Sequence, residues 1–190
     1  MRIIRAADCK TTPWKNGGGS TTEIAAAPEG ASMHDFDWRI SMAQVAADGP
    51  FSDFPGIDRT LTVIRGGGMV LTAGDNASVT LSHGSEPASF AGDVPTSARL
   101  TAGPITDLNV MTRRGRFEHS VGRIVEATDI EFGDDDIAVV LALGGETEVD
   151  GVTLGHGDAA VIDARATSGF RIALVGGDCY LISLRELRRR

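Results

Sequence analysis

The sequence contains few of the residues that build disulfide-rich or secreted domains. Among its 190 residues only Cys9 and Cys179 are cysteines, and no CxxC motif is present. Two separate thiols cannot form the multi-disulfide framework that small secreted domains need. The first ten residues, MRIIRAADCK, also lack the continuous apolar segment of a secretory signal. We therefore expect a reduced, cytoplasmic protein.

Long apolar runs and a strongly basic surface are also missing. No apolar run approaches the roughly 20 residues that a membrane-spanning helix requires. Acidic residues outnumber basic ones by 26 to 18, and the net charge of −8 disfavours nucleic acid as a partner. Basic residues cluster only at Arg113, Arg114 and Arg116 and in the tail Arg185, Arg188, Arg189 and Arg190. We interpret the tail as a solvated end and expect neither a membrane nor a nucleic-acid partner.

The motifs of metal-dependent and nucleophilic catalysis are absent too. No Walker A loop and no GxSxG elbow occur, and the four histidines are isolated from one another. His83 and Glu86 have an HxxE spacing, but their Gly/Ser/Pro-rich surroundings do not preset metal ligands. We expect no metal, no cofactor and no catalytic residue of these kinds.

Short β-strands dominate what the sequence does contain. Twenty-four glycines separate short runs of Val, Ile, Leu and Thr, which is a strand-and-turn pattern. It predicts strands at 21–26, 38–45, 59–64, 69–72, 77–81, 105–111, 116–125, 137–143, 147–149, 159–162, 169–175 and 180–184. Helical periodicity is confined to one turn near residues 184–188. The predicted fold class is all-β, with a sandwich or barrel that covers its strand edges.

A weak internal repeat indicates two related halves. Residues 63–81 read strand, glycine run, strand, Asp/Gly turn and strand, and residues 140–162 have the same order. This order predicts two jelly-roll halves, at about 1–125 and 126–190. Because the second half is short for a complete barrel, we expect N-terminal strands to complete it.

Polar residues on two predicted strands indicate an anion site. Arg39 and Ser41 share one strand face, and Arg59 begins the strand after a loop rich in glycine and proline. A guanidinium group binds a carboxylate through two hydrogen bonds, so Arg39 and Arg59 are candidate anion ligands. The alternative is a structural salt bridge to an acidic residue, with Asp53, Asp58 and Asp107 as candidates.

Two further segments could contribute to a pocket. Asp107, Asn109 and Met111 share a strand face, which in a closed barrel would place the Asn109 amide and the Met111 thioether in the lumen. On an open sheet the same face would be solvated. Lys15, Asn16, Gly17 and Gly18 form a loop whose backbone N–H groups could bind an anion, or which could simply be a tight turn.

A family resemblance rests on seven segments in a fixed order. They are PWKNGGGSTTEIA (13–25), WRISMA (38–43), DGPFS (48–52), FPG (54–56), DRTLT (58–62), FAGD (90–93) and DLNVMTRRG (107–115). Through them the chain resembles the HutD/Ves family of bacterial bicupins. The resemblance implies two double-stranded β-helix barrels, a pocket in the N-terminal barrel that Asn109 faces, and an accessory or regulatory role in histidine utilisation. It implies as ligand a small carboxylate such as urocanate or a formyl- or formimino-glutamate.

Two other functions remain open at this stage. A metal-independent isomerase or hydrolase could use Glu23 or Asp107 as its base. A protein–protein module could assemble through exposed strand edges, and a homodimer is compatible with every interpretation. A strongly raised carboxylate pKa beside the pocket would favour the enzyme.

Overall fold

The computed structural model of the chain describes residues 1–75 and 78–187. Within these ranges the regular structure is strand, apart from one 3₁₀ turn at Ala6–Asp8. The strands are β1 (Arg2–Ile4), β2 (Thr11–Pro13), β3 (Gly19–Ala27), β4 (Trp38–Val45), β5 (Gly49–Pro50), β6 (Ile57–Gly66), β7 (Met69–Ala73), β8 (Val79–Leu81), β9 (Ala88–Ala91), β10 (Thr96–Leu100), β11 (Ile105–Arg113), β12 (Phe117–Ile124), β13 (Thr128–Glu131), β14 (Ile137–Ala142), β15 (Glu146–Val149), β16 (Val152–Leu154), β17 (Ala159–Asp163), β18 (Gly169–Val175) and β19 (Cys179–Glu186). The predicted all-β class is confirmed.

The chain forms two compact units. The central unit is Lys10–Gly115, and the terminal unit combines Met1–Cys9 with the chain from Arg116 onward. The boundary between the units therefore lies at Arg116, whereas the sequence pattern predicts it after residue 125. No helix in the described ranges is long and apolar enough to cross a membrane.

Two antiparallel sheets make up the central unit. Their strand orders are β2-β3-β4-β11-β6-β9 and β5-β10-β7-β8. Both sheets contribute to one apolar core, formed by Ala43, Val45, Leu61, Val63, Met69, Leu71, Leu81, Ala98 and Ile105. Because side chains alternate along a strand, every second residue of β4, β6 and β11 faces this core.

The glycine run that follows β6 allows a close backbone approach. Gly66 has φ +101°, and a Cβ atom there would lie 2.4 Å from the carbonyl oxygen of Pro104. No side chain fits that space, so glycine is required where β6 ends beside the start of β11. The β6–β11 register shifts nearby, between Thr106 and Asp107. Such an irregularity re-aims the neighbouring side chains.

The terminal unit also consists of two sheets. Their strand orders are β1-β17-β14-β19-β12 and β13-β18-β15-β16. Its apolar core is formed by Ala138, Val140, Ala142, Val149, Leu154, Ala160, Ile162, Phe170, Ile172 and Cys179. The N-terminal strand β1 pairs with β17, with Ile3 opposite Ala160.

Asp158 holds Arg5 and Ala6 against the rest of the terminal unit. Its carboxylate accepts hydrogen bonds from Arg5 Nη1 at 2.6 Å, from the Ala6 amide at 2.8 Å and from the Gly155 amide at 3.0 Å. We expect Asp158→Ala to lower the free energy of unfolding by about 2 kcal/mol, because two backbone donors lose their acceptor. Urea unfolding measures this change. The control is Asp129→Ala, which removes an exposed ion pair with Arg171 and should cost less than about 0.5 kcal/mol.

Several strand predictions can be compared directly with the structure. The strands predicted at 38–45 and 169–175 have the observed bounds of β4 and β18. The helical turn predicted near residues 184–188 is wrong where the structure describes it, because β19 runs to Glu186, which pairs with Phe117 of β12. Asn76, Ala77, Arg188, Arg189 and Arg190, which include part of a predicted strand and most of the arginine tail, lie outside the described residues.

Candidate functional site

Strand register places the two candidate arginines at the same level of one sheet. Met111 of β11 pairs with Arg39 on β4 and with Arg59 on β6. Strands lie about 4.8 Å apart, so the two arginine backbones are separated by roughly 10 Å. The alternation along β4 and β6 puts both side chains on the face that carries the core residues Ala43 and Leu61. Both are buried, with exposures of 8% for Arg39 and 3% for Arg59.

Arg39 is held by neighbouring polar side chains. Its Nε donates to Glu23 Oε2 at 2.7 Å, and its Nη1 donates to Ser41 Oγ at 3.4 Å. Glu23 reaches the arginine because β3 pairs with β4 and sets Glu23 opposite Ser41. For Arg39 the predicted choice of Asp53, Asp58 or Asp107 as salt-bridge partner is wrong, because its guanidinium pairs with Glu23.

Arg59 packs against aromatic rings and has no acidic hydrogen-bond partner in the described part of the chain. Its guanidinium carbon lies 5.1–5.3 Å from the ring centres of Phe51, Phe54 and Phe90, within the range of cation–π attraction. Nη1 donates to the Ser52 carbonyl at 3.3 Å, while Nε has no hydrogen-bond partner among the described residues. Burial lowers the pKa of Arg59 to about 10, against a raising effect of the Asp107 charge. The group is thus a buried cation with a donor still available.

Asp107 is the most unusual carboxylate of the site. It is 1% exposed, and neither of its oxygens accepts a hydrogen bond from any residue that the structure describes. Burial raises its pKa to about 7, although the positive charge of Arg59 acts to lower it. A buried carboxylate without donors is costly, so its presence requires an explanation beyond packing.

Asn109 and Met111 lie beside these charges. Asn109 Nδ2 contacts Met111 Sδ at 3.7 Å, and Asn109 Oδ1 is buried without a partner in the described ranges. Register sets Asn109 opposite Ser41 on β4 and opposite Leu61 on β6. One sheet face therefore brings together five of the predicted ligand-binding residues, namely Arg39, Ser41, Arg59, Asn109 and Met111.

The glycine loop lies apart from this cluster. Lys15, Asn16 and Gly17 are exposed, and Asn16 Oδ1 accepts a hydrogen bond from the Gly18 amide at 3.0 Å. Gly19 pairs with Val45, six residues along β4 from Arg39, which corresponds to roughly 20 Å. The structure thus shows a hairpin turn between β2 and β3. A ligand contact for Lys15 to Gly18 stays a prediction.

Comparison with known proteins identifies the family. The sequence model of the HutD family, described as HutD, matches residues 6–180. The chain belongs to the HutD family. The sequence-based resemblance to HutD and Ves is confirmed.

Relatives of this HutD-family chain agree with that assignment. Protein Ves of Citrobacter koseri is 41% identical over 121 residues, which cover 63% of this chain and 61% of Ves. The structure of HutD from Pseudomonas fluorescens SBW25, from a formate condition, is 34% identical and matches with a TM-score of 0.86 over 97% of this chain and 98% of HutD. A conserved protein of unknown function from Pseudomonas aeruginosa PAO1 is 28% identical, with a TM-score of 0.81 over 97% of both chains.

More distant structures establish the fold alone. At 8–11% identity they match with TM-scores of 0.64–0.68. The fold of this HutD-family chain is cupin-like. Within the described ranges, no group of three or more His, Cys, Asp or Glu side chains is arranged to hold a metal ion.

Sequence reasoning missed two parts of the site in this HutD-family chain. Phe90 reaches Arg59 only because β9 pairs with β6, with Phe90 directly opposite Arg59. The Glu23–Arg39 ion pair depends likewise on the β3–β4 pairing. No local motif marks either contact. The loop that carries Phe51 and Phe54 did give a signal, because its glycines and prolines predicted an ordered segment.

Proposed function

We propose that this chain binds a small carboxylate metabolite in its central unit, without catalysis, and has an accessory or regulatory role in histidine utilisation. The single observation that carries the proposal is Arg59, a buried guanidinium with no acidic hydrogen-bond partner in the described part of the chain. A ligand carboxylate would accept a hydrogen bond from Nε, which has no partner in the described part of the chain. Charge-assisted pairs of this kind are strong in a buried site.

The aromatic rings around Arg59 fit this role. Phe51, Phe54 and Phe90 exclude water from the guanidinium, which strengthens its attraction for an anion. Arg39 adds a second positive charge on the same face, already balanced by Glu23. Because Phe51 and Phe54 lie on the loop between β5 and β6, outward movement of that loop would admit the ligand.

The association with histidine utilisation suggests which carboxylates to test. Urocanate and the formyl- or formimino-derivatives of glutamate are the candidates, and this choice rests on the family to which the chain belongs. We further propose that each pair of sheets is a jelly-roll, which would make the chain a bicupin, and that the protein is cytoplasmic. A homodimer would be compatible with this arrangement.

Thermal unfolding of the chelator-treated protein tests the proposal. We expect one of the three candidates to raise the melting temperature saturably, with about 1.4 kcal/mol of stabilisation at ten times its Kd. Formate serves as the minimal carboxylate, and the corresponding methyl esters serve as controls that lack the anionic charge. An equal shift with acid and ester, or no shift with any compound, would contradict carboxylate binding.

A metal-independent enzyme is the second candidate function. The observation that favours it is the Asp107 carboxyl, because a pKa near 7 suits a general base at neutral pH. Glu23 suits this role less, since it is paired with Arg39. Incubation of the three candidate compounds with the protein, followed by NMR, distinguishes the functions. Turnover that disappears in Asp107→Asn would establish the enzyme, and unchanged spectra with saturable binding would support the binding protein.

A further inference from the structure

Unpaired acceptor atoms line one face of β11 inside the central unit. They are both carboxylate oxygens of Asp107 and the Oδ1 atom of Asn109, and none has a donor among residues 1–75 and 78–187. The two residues are separated by one position, so they project from the same face about 7 Å apart. Asp107 is 1% exposed, which leaves little room for bulk water to hydrate it.

Without donors, these buried acceptors lower the stability of the folded protein. Each buried polar atom without a partner loses its hydrogen bonds to water and gains none in exchange. Aliphatic side chains at positions 107 and 109 would continue the apolar core formed by Ile105, Leu61 and Val63. A donor-bearing ligand would offset the cost, whereas packing does not.

The charges around Asp107 indicate which chemical groups the ligand carries. Arg39 is paired with Glu23, so Arg59 is the cation whose charge acts on Asp107. A ligand carboxylate at Arg59 would neutralise that cation. Asp107 would then require a hydrogen-bond donor of its own, supplied by the same ligand.

The geometry points to a ligand with two ends of opposite polarity, a carboxylate at Arg59 and an N–H-donating group at Asp107 and Asn109. Amide, amidine, imidazole and ammonium groups all carry such N–H donors. This inference rests on the proposed carboxylate binding and specifies the other half of the ligand. Asp107 and Asn109 thereby become the residues that select among carboxylates.

Calorimetric titration of the full chain with two matched acids tests the inference. Urocanate carries an imidazole N–H, and 3-(furan-3-yl)acrylate has the same acrylate and ring size with an oxygen that cannot donate. We expect urocanate to bind about 10- to 100-fold more tightly, the usual discrimination when a buried acceptor is left unpaired. Asp107→Leu, which removes both acceptor oxygens, should reduce this ratio to within about threefold, whereas Asp134→Asn, at an exposed residue of the terminal unit, should leave it unchanged.

The outcomes separate the inference from the function on which it rests. Equal affinities for the two acids, or tighter binding of the furan, would overturn the donor end while leaving carboxylate binding intact. Failure of the wild type to bind either acid would overturn both. Should Asp107→Leu fail to fold, as judged by its melting curve, the affinity ratio in the wild type still decides.

Discussion

Replacing Arg59 by methionine is expected to weaken carboxylate binding strongly while leaving the protein at least as stable as the wild type. Arg59 is 3% exposed and contacts three phenylalanine rings. This burial lowers the pKa of its guanidinium to about 10. At pH 5.5, where the Asp107 carboxyl is protonated, methionine retains the apolar contacts and removes a desolvated charge, so the free energy of unfolding should change by 0 to about +2 kcal/mol. Loss of the buried ion pair between Arg59 and the ligand carboxylate should weaken ligand binding about 100- to 1,000-fold.

The matched control is Arg65→Met on the same strand. Arg65 is exposed, so the same substitution there should change neither affinity nor stability appreciably. Urea unfolding and calorimetric titration of both variants provide the two readouts. If Arg59→Met were destabilised by more than about 2 kcal/mol, Arg59 would be a structural cation of the aromatic cluster. Retained binding in that variant would remove Arg59 from the site.

The residue pattern was sufficient to predict the long strands, because the alternation of their side chains between two faces extends over many residues. In β4 the residues Arg39 and Ser41 share a face with Ala43 and Val45, and the observed bounds equal those predicted. Short strands carry too little pattern to be recognised. Strand β5 has only two residues, and β1 has three and pairs with β17, about 160 positions away in the sequence.

The site likewise has one part that the local pattern predicts and another that depends on strand pairing. The shared face of Asp107, Asn109 and Met111 follows from the two-residue strand period and could be predicted. Which side chains lie opposite them depends on sheet order, in which β11 is inserted between β4 and β6. Sequence cannot supply that order, so the association of Arg59 with Phe90, and of Arg39 with Glu23, required the structure.

The unpaired state of Asp107 has a consequence for stability as well as for binding. Its carboxyl has a pKa of about 7 in the folded protein, compared with 3.8 when solvated, because burial disfavours the charged form. Between these two values the folded state holds a proton that the unfolded state has released. Stability therefore falls as the pH rises from about 4 to about 7, and it stays lower above that range.

We therefore expect Asp107→Asn to flatten the pH dependence of stability. The wild type should lose about 2 kcal/mol more than the variant between pH 5.5 and pH 8, since each pH unit below the folded pKa is worth about 1.4 kcal/mol. Urea unfolding at the two pH values measures this difference, and the exposed Asp53→Asn serves as the control that should follow the wild type. Parallel profiles for wild type and Asp107→Asn would mean that the carboxylate is ionised throughout, stabilised by Arg59. Saturating ligand should reduce this difference, because a donor bound to Asp107 favours the ionised carboxylate and lowers its folded-state pKa towards the value of 3.8 in the unfolded chain.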